Sequence, residues 1–135
     1  MGFGLPAGIA AGLHRSGQPV IVFAGDGCFS MSLTELATLA DSGAGVLVVV
    51  VNNGMYGTIR MHQERRFPGR VSGTVLSNPD FVGVARACGI PAERVEDVAG
   101  FERVFDAFRA GEGPALIEIV TDPDRSAPGL RLSEL

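Results

Sequence analysis

The run VLVVVV at positions 46–51 carries no polar break. A half-exposed strand would alternate and a surface helix would show a polar stripe, so the run suits a parallel strand buried on both faces. Val20 to Ala24 has the same character, and Ala115 to Val120 reads as a third, largely apolar strand. Segments with helical spacing separate them. Strands alternating with helices imply an α/β fold: a three-layer, doubly wound, mostly parallel sheet with helices on both faces.

The helical segments follow from apolar spacing and punctuation. Residues 4–16 place Leu5, Ile9 and Leu13 on one side, and Ser16-Gly17 stops them. Ser32 to Asp41 carries Leu33, Leu36, Ala37 and Ala40 together, and Ser32 with Glu35 reads as a capping box. Further helices are expected over Tyr56–Glu64, from Asn78-Pro79 to Cys88, and over Phe101–Arg109, where Phe101, Val104, Phe105 and Phe108 face inward. Arg94 to Val98 alternates as an edge strand would. Phe67–Val75 reads as a loop, and the tail from Asp122 wraps the surface. Residues 1–135 show no repeat or linker and read as one domain.

The hydrophobic fraction is 46%, the charged fraction 19% and the mean hydropathy +0.27. That much apolar surface fits a large buried sheet, or a face that meets another domain or subunit. The net charge is −4, with no basic stripe, which argues against nucleic acid as a partner. The longest apolar run is too short to cross a bilayer, and MGFGLPAGIAAGL lacks the basic start and cleavage site of a signal peptide. Cys28 and Cys88 show no metal or disulfide spacing, so a reduced, cytoplasmic setting is expected. His14 is expected to face solvent, His62 follows a candidate site loop, and Arg60, Arg65 and Arg66 form a solvated face.

Two strand ends carry polar groups. The first closes in Gly25-Asp26-Gly27 and the second in Asn52-Asn53-Gly54. Ligands of open parallel sheets bind at the carboxyl ends of strands, and one strand–helix–strand crossover separates Asp26 from Asn53. A carboxylate, an amide oxygen and a nearby carbonyl make a partial oxygen shell suited to Mg²⁺ or Ca²⁺. Mg²⁺ in such a shell completes its octahedron with phosphate and water. Gly27 would admit phosphate close to the backbone, and the amides of Cys28 and Phe29, ahead of a helix, could donate to it. Taken alone, GDG is equally well explained as a tight turn in which Asp caps free amides.

GDG followed at this distance by NN resembles the signature of thiamine diphosphate enzymes. MGFGLPAGIAAG, GDGCFSMSLTELATL, VVNNGMYGTIRMHQE, NPDFVGVARACG and GPALIEIVTDP extend the likeness to the C-terminal, diphosphate-binding domain of acetolactate synthase-like and benzoylformate decarboxylase-like enzymes. The resemblance implies thiamine diphosphate and Mg²⁺ as cofactors. It makes Asp26, the Asn53 side chain and the Met55 carbonyl the metal ligands. Gly25, Gly27, Cys28, Tyr56 and Gly57 would line the diphosphate. Met1 would wedge between the cofactor rings, and Ile59 would lie near the reacting carbon. The implied chemistry is decarboxylation of a 2-oxo acid, or its ligation to a second carbonyl compound.

The family's activating glutamate belongs to a pyrimidine-binding domain, and no glutamate here stands in that context. A fragment or subunit inactive alone is therefore expected, with the pyrimidine-binding domain or subunit as partner in a homo- or hetero-oligomer. No catalytic residue is assigned in this chain. The segment after NN lacks the Leu-Gly-Met pattern and tryptophan of biosynthetic acetohydroxyacid synthases, which leaves the substrate open. Two alternatives stand beside this reading. One is a folded remnant that no longer binds cofactor. The other is a doubly wound nucleotide-binding enzyme, against which the missing P-loop counts.

Overall fold

The computed structural model describes residues 1–14, 17–111, 113–127 and 129–135; the expected helix end at Ser16 lies outside them. In chain order the elements are α1 (Gly4–His14), β1 (Val20–Gly25), α2 (Asp26–Ser30), α3 (Glu35–Ser42), β2 (Val46–Asn52), α4 (Gly57–Arg66), α5 (Phe81–Ala87), β3 (Ala92–Val95), α6 (Val98–Ala110) and β4 (Ala115–Val120). A small hairpin, β5 (Arg125–Ala127) and β6 (Leu130–Arg131), and a 3₁₀ turn at Leu132–Glu134 follow. The main sheet has the order β1-β2-β4-β3, and all of its pairings are parallel.

Side chains alternate across each strand and so build two cores. Val46, Val48, Val50, Leu116 and Ala92 meet Leu5 and Ile9 of α1, Phe29 of α2, Leu36 and Leu39 of α3, and Phe81 and Ala85 of α5. On the other face Leu47, Val49, Val95 and Ile117 meet Phe108 of α6, with Phe101, Val104 and Phe105 partly buried around them. Helices therefore cover both faces, as expected. Phe29 and Phe81 contact edge to face, ring centroids 5.4 Å apart.

Several boundaries differ from the expected ones. β1 is an edge strand, and its second face stays open: Ile21 is 43% and Phe23 68% exposed. The apolar run Val20–Ala24 is thus buried on one face only. The Ser32 capping box does not form; α3 starts at Glu35 behind Thr34, which makes no side-chain cap, because α2 and a following turn take up residues 26–34. The edge strand β3 stops at Val95. Asp97 Oδ1 accepts the Gly100 N–H at 2.7 Å and so caps α6 from Val98 onward, earlier than the phenylalanine spacing implied.

The approach of α1 to the sheet depends on a missing side chain. A Cβ on Gly8 would collide with Val22 Cγ2, and one on Gly12 would stand 3.0 Å from Val46 Cγ2. Gly8→Ala is therefore expected to lower stability by about 1–3 kcal/mol through overpacking, outweighing a gain of about 1 kcal/mol in helix propensity. Phe81→Ala is expected to cost about 3–5 kcal/mol. Urea unfolding followed by far-UV circular dichroism checks both; an unchanged midpoint for Gly8→Ala would contradict the close packing of α1.

Candidate functional site

Strands β1 and β2 run parallel in direct register, with Gly25 beside Val51. Their carboxyl ends therefore deliver Asp26 and the Asn52-Asn53-Gly54 turn to the same rim. Asp26 opens the one-turn helix α2 and is only 2% exposed. Its Oδ2 accepts the Gly54 N–H at 2.9 Å and the Asn78 Nδ2–H at 2.7 Å. No donor among the described residues reaches its other oxygen, Oδ1. The amides of Cys28 and Phe29 lie inside α2 rather than ahead of a helix.

The turn after β2 is held locally. Asn53 Oδ1 accepts the Met55 N–H at 3.1 Å, and the Met55 carbonyl accepts the Gly57 N–H at 3.0 Å. Residues 74–76 strap the turn from outside: Tyr56 N–H donates to the Thr74 carbonyl at 2.8 Å and Leu76 N–H to the Gly54 carbonyl at 2.9 Å. The Met55–Val75 bridge between them is antiparallel. The strap sets the Tyr56 ring over Gly27, where an added Cβ would strike the ring and stand 3.0 Å from Leu76 Cδ1. The space left by the absent side chain thus belongs to Tyr56 and Leu76. Thr74 is buried, and its Oγ1 has no hydrogen-bond partner among the described residues.

Behind the turn lies a polar chain that sequence reasoning missed. Asn78 Nδ2 also donates to Asn52 Oδ1 at 3.0 Å, and Asn52 Nδ2 donates to Glu118 Oε1 at 2.7 Å. Arg94 Nε donates to Glu118 Oε2 at 2.9 Å. Glu118 is fully buried on β4, where an unpaired charge would be costly. Its register neighbour on β3 is Arg94, so the sheet itself places the pair. A lone acid inside ALIEIV was the available signal for Glu118; Asn78 carried none beyond its helix-opening proline.

The other sequence-derived residues lie around this knot. Gly2 N–H donates to Cys28 Sγ at 3.2 Å, holding the segment that contains Met1 beside α2. The Met1 and Ile59 side chains are exposed. His14 and His62 are exposed too. Arg60 pairs with Glu64, so it is not simply solvated. The Gly69 N–H and Arg60 together hold the Glu64 carboxyl below the usual range. Two surface cavities, of about 320 and 740 Å³, sit at the opposite, amino ends of the strands, and neither is lined by Asp26 or Asn53.

The donor set at the rim is one carboxylate, one side-chain amide oxygen and main-chain carbonyls. No three His, Cys, Asp or Glu side chains are grouped to hold a metal among the described residues. Hard oxygens in that number match Mg²⁺ or Ca²⁺ with non-protein ligands completing the shell, not a transition metal. Asp26 Oδ1 is free to face such an ion, and the Asn53 and Met55 oxygens each keep a second lone pair. The residues present fit the group.

Known proteins resemble the chain in sequence and fold. The profile of the family described as "Thiamine pyrophosphate enzyme, C-terminal TPP binding domain" matches residues 1–119. The acetolactate synthase catalytic subunit, mitochondrial, of Aspergillus candidus is 38% identical over 122 residues, covering 90% of this chain and 18% of its own. The acetolactate synthase isozyme 2 large subunit of Escherichia coli K12 is 34% identical over 123 residues, 90% of this chain and 22% of its own. In structure, the thiamine diphosphate-dependent 4-hydroxybenzoylformate decarboxylase of Rhodococcus jostii RHA1 superposes with a TM-score of 0.84 at 32% identity, over 90% of this chain and 23% of that one. The chain thus spans about a fifth of the length of these relatives, and it belongs to the family of C-terminal, thiamine diphosphate-binding domains of thiamine diphosphate enzymes.

Proposed function

We propose that the chain binds the diphosphate half of thiamine diphosphate through Mg²⁺ and serves a 2-oxo acid decarboxylase or carboligase of the acetolactate synthase-like group. The observation that carries this reading is the buried Asp26 carboxylate, pinned through Oδ2 to the Asn53-Gly54 peptide and open at Oδ1. Asp26 Oδ1, Asn53 Oδ1 and the Met55 carbonyl would hold the ion. Gly25, Gly27, Cys28, Tyr56 and Gly57 would border the diphosphate, with the exposed Met1 and Ile59 reaching the cofactor's rings and the substrate. When bound, the cofactor supplies the carbon nucleophile for 2-oxo acid chemistry. The residues of this chain contribute charge neutralisation, orientation and, through Met1 and Ile59, an apolar wall.

The Met1 and Ile59 side chains stay exposed, which leaves an apolar edge for a second body to cover. We assign that place to a pyrimidine-binding domain or subunit carrying the activating glutamate, within an oligomer. On this reading residues 1–135 form one diphosphate-binding domain, inactive by itself.

Calorimetry on the full chain tests the proposal. Thiamine diphosphate is expected to bind only with Mg²⁺ present, and Asp26→Ala to weaken binding more than about a hundredfold, since losing a ligand costs more than the roughly 10–100-fold lost with a group that only orients one. No heat at millimolar cofactor with Mg²⁺, or equal affinity for Asp26→Ala, would favour a folded remnant that no longer binds it.

A further inference from the structure

We propose that Asn78 is a positioning residue, oriented through Asn52 by Glu118, that selects which oxygen of Asp26 meets the cation. This rests on the reading of Asp26 as a cation ligand. A carboxylate with both oxygens free turns about its Cβ–Cγ bond and offers either. Here Asn78 and the Gly54 N–H both occupy Oδ2, at 2.7 and 2.9 Å, and Oδ1 receives no donor among the described residues. The carboxylate is therefore locked, with one oxygen committed to the protein and the other left without a donor among the described residues.

Donor and acceptor chemistry dictates how Asn78 comes to donate. Glu118 is fully buried and, as a carboxylate beside Arg94, only accepts. Asn52 must turn its amide nitrogen to it, at 2.7 Å. That leaves Asn52 Oδ1 facing the turn, where the Gly54 N–H donates to it at 3.1 Å. A backbone donor at one end and an acceptor-only group at the other thus set the Asn52 amide in one orientation. Asn78 can then meet Asn52 Oδ1 only through its own nitrogen, at 3.0 Å, and the same nitrogen reaches Asp26. The polarity of a charge buried in β4 is passed through two amides to a carboxylate at the end of β1. Arg94, Glu118 and Asn52 occupy one face of the sheet because their positions share strand parity with Ala92, Leu116 and Val50, all in one core.

Two measurements on the full chain test this. In the cation-free, ¹⁵N-labelled chain, the Asn78 side-chain amide protons are expected to exchange slowly with solvent, and Asn52→Leu to release one of them; fast exchange in the parent overturns the relay. Binding of Mn²⁺ with thiamine diphosphate is expected to weaken about 10–100-fold in Asn78→Ala. Asn52→Leu, which interrupts the relay one step back, should weaken it in the same direction and serves as the second variant should Asn78→Ala not fold. A lower unfolding midpoint with unchanged affinity would make Asn78 merely structural and overturn the proposal. If the parent chain takes up no Mn²⁺ with the cofactor, the reading of Asp26 as a ligand fails and the positioning role with it, whereas the hydrogen-bond relay is still decided by the amide spectrum.

Discussion

The contact between the Asp26 carboxylate and the Gly54 N–H, 2.9 Å long, joins the ends of two parallel strands and organises the rim of the sheet. A carboxylate that is 2% exposed is stable only with polar partners. Gly54 and Asn78 supply them. The same two bonds tie three segments distant in sequence: the end of β1, the end of β2 and the approach to α5. If Asp26 lost them, the Asn53 turn would keep its local bonds but lose its alignment with β1.

The rest of the fold serves that alignment. Parallel register brings Gly25 level with Val51, so the residues that follow emerge side by side. The fully buried stretch of β2, with α3 and α5 on one face and α6 on the other, holds its strand end rigid. The strap at residues 74–76 clamps the turn from outside and carries Tyr56 over Gly27. Rigid elements thus place a small set of oxygens, as a cation site of few protein ligands requires.

Much of this was legible in the chain. β2 and β4 were readable because long apolar runs have few other structural solutions, and GDG and NNG marked the strand ends. What stayed hidden depended on lateral order or on long-range pairing. Nothing local in Val20–Ala24 says that β1 lies at the sheet edge with Phe23 exposed. The start of α6 was masked because RVEDV alternates like a strand, while Asp97 within it is a helix cap. Asn78 lies in a connecting segment and meets Asp26 across 52 positions, a partnership with no short-range trace. Tyr56 belonged to the motif, but its packing against Gly27 needed coordinates. Where family resemblance supplied roles, for Met1 and Ile59, the structure adds their exposure.

The central claim, that Asp26 and the Asn53 turn share a divalent ion, is tested most directly by paramagnetic relaxation. Mn²⁺ titrated with thiamine diphosphate into the ¹⁵N-labelled chain broadens amide signals near the ion. The account predicts early loss confined to residues 25–28, 53–57 and 74–78, which touch them, with the amino ends of the strands unaffected. Broadening centred instead on the surface acids Asp122, Asp124 and Glu134, with residues 25–28 sharp, would contradict it.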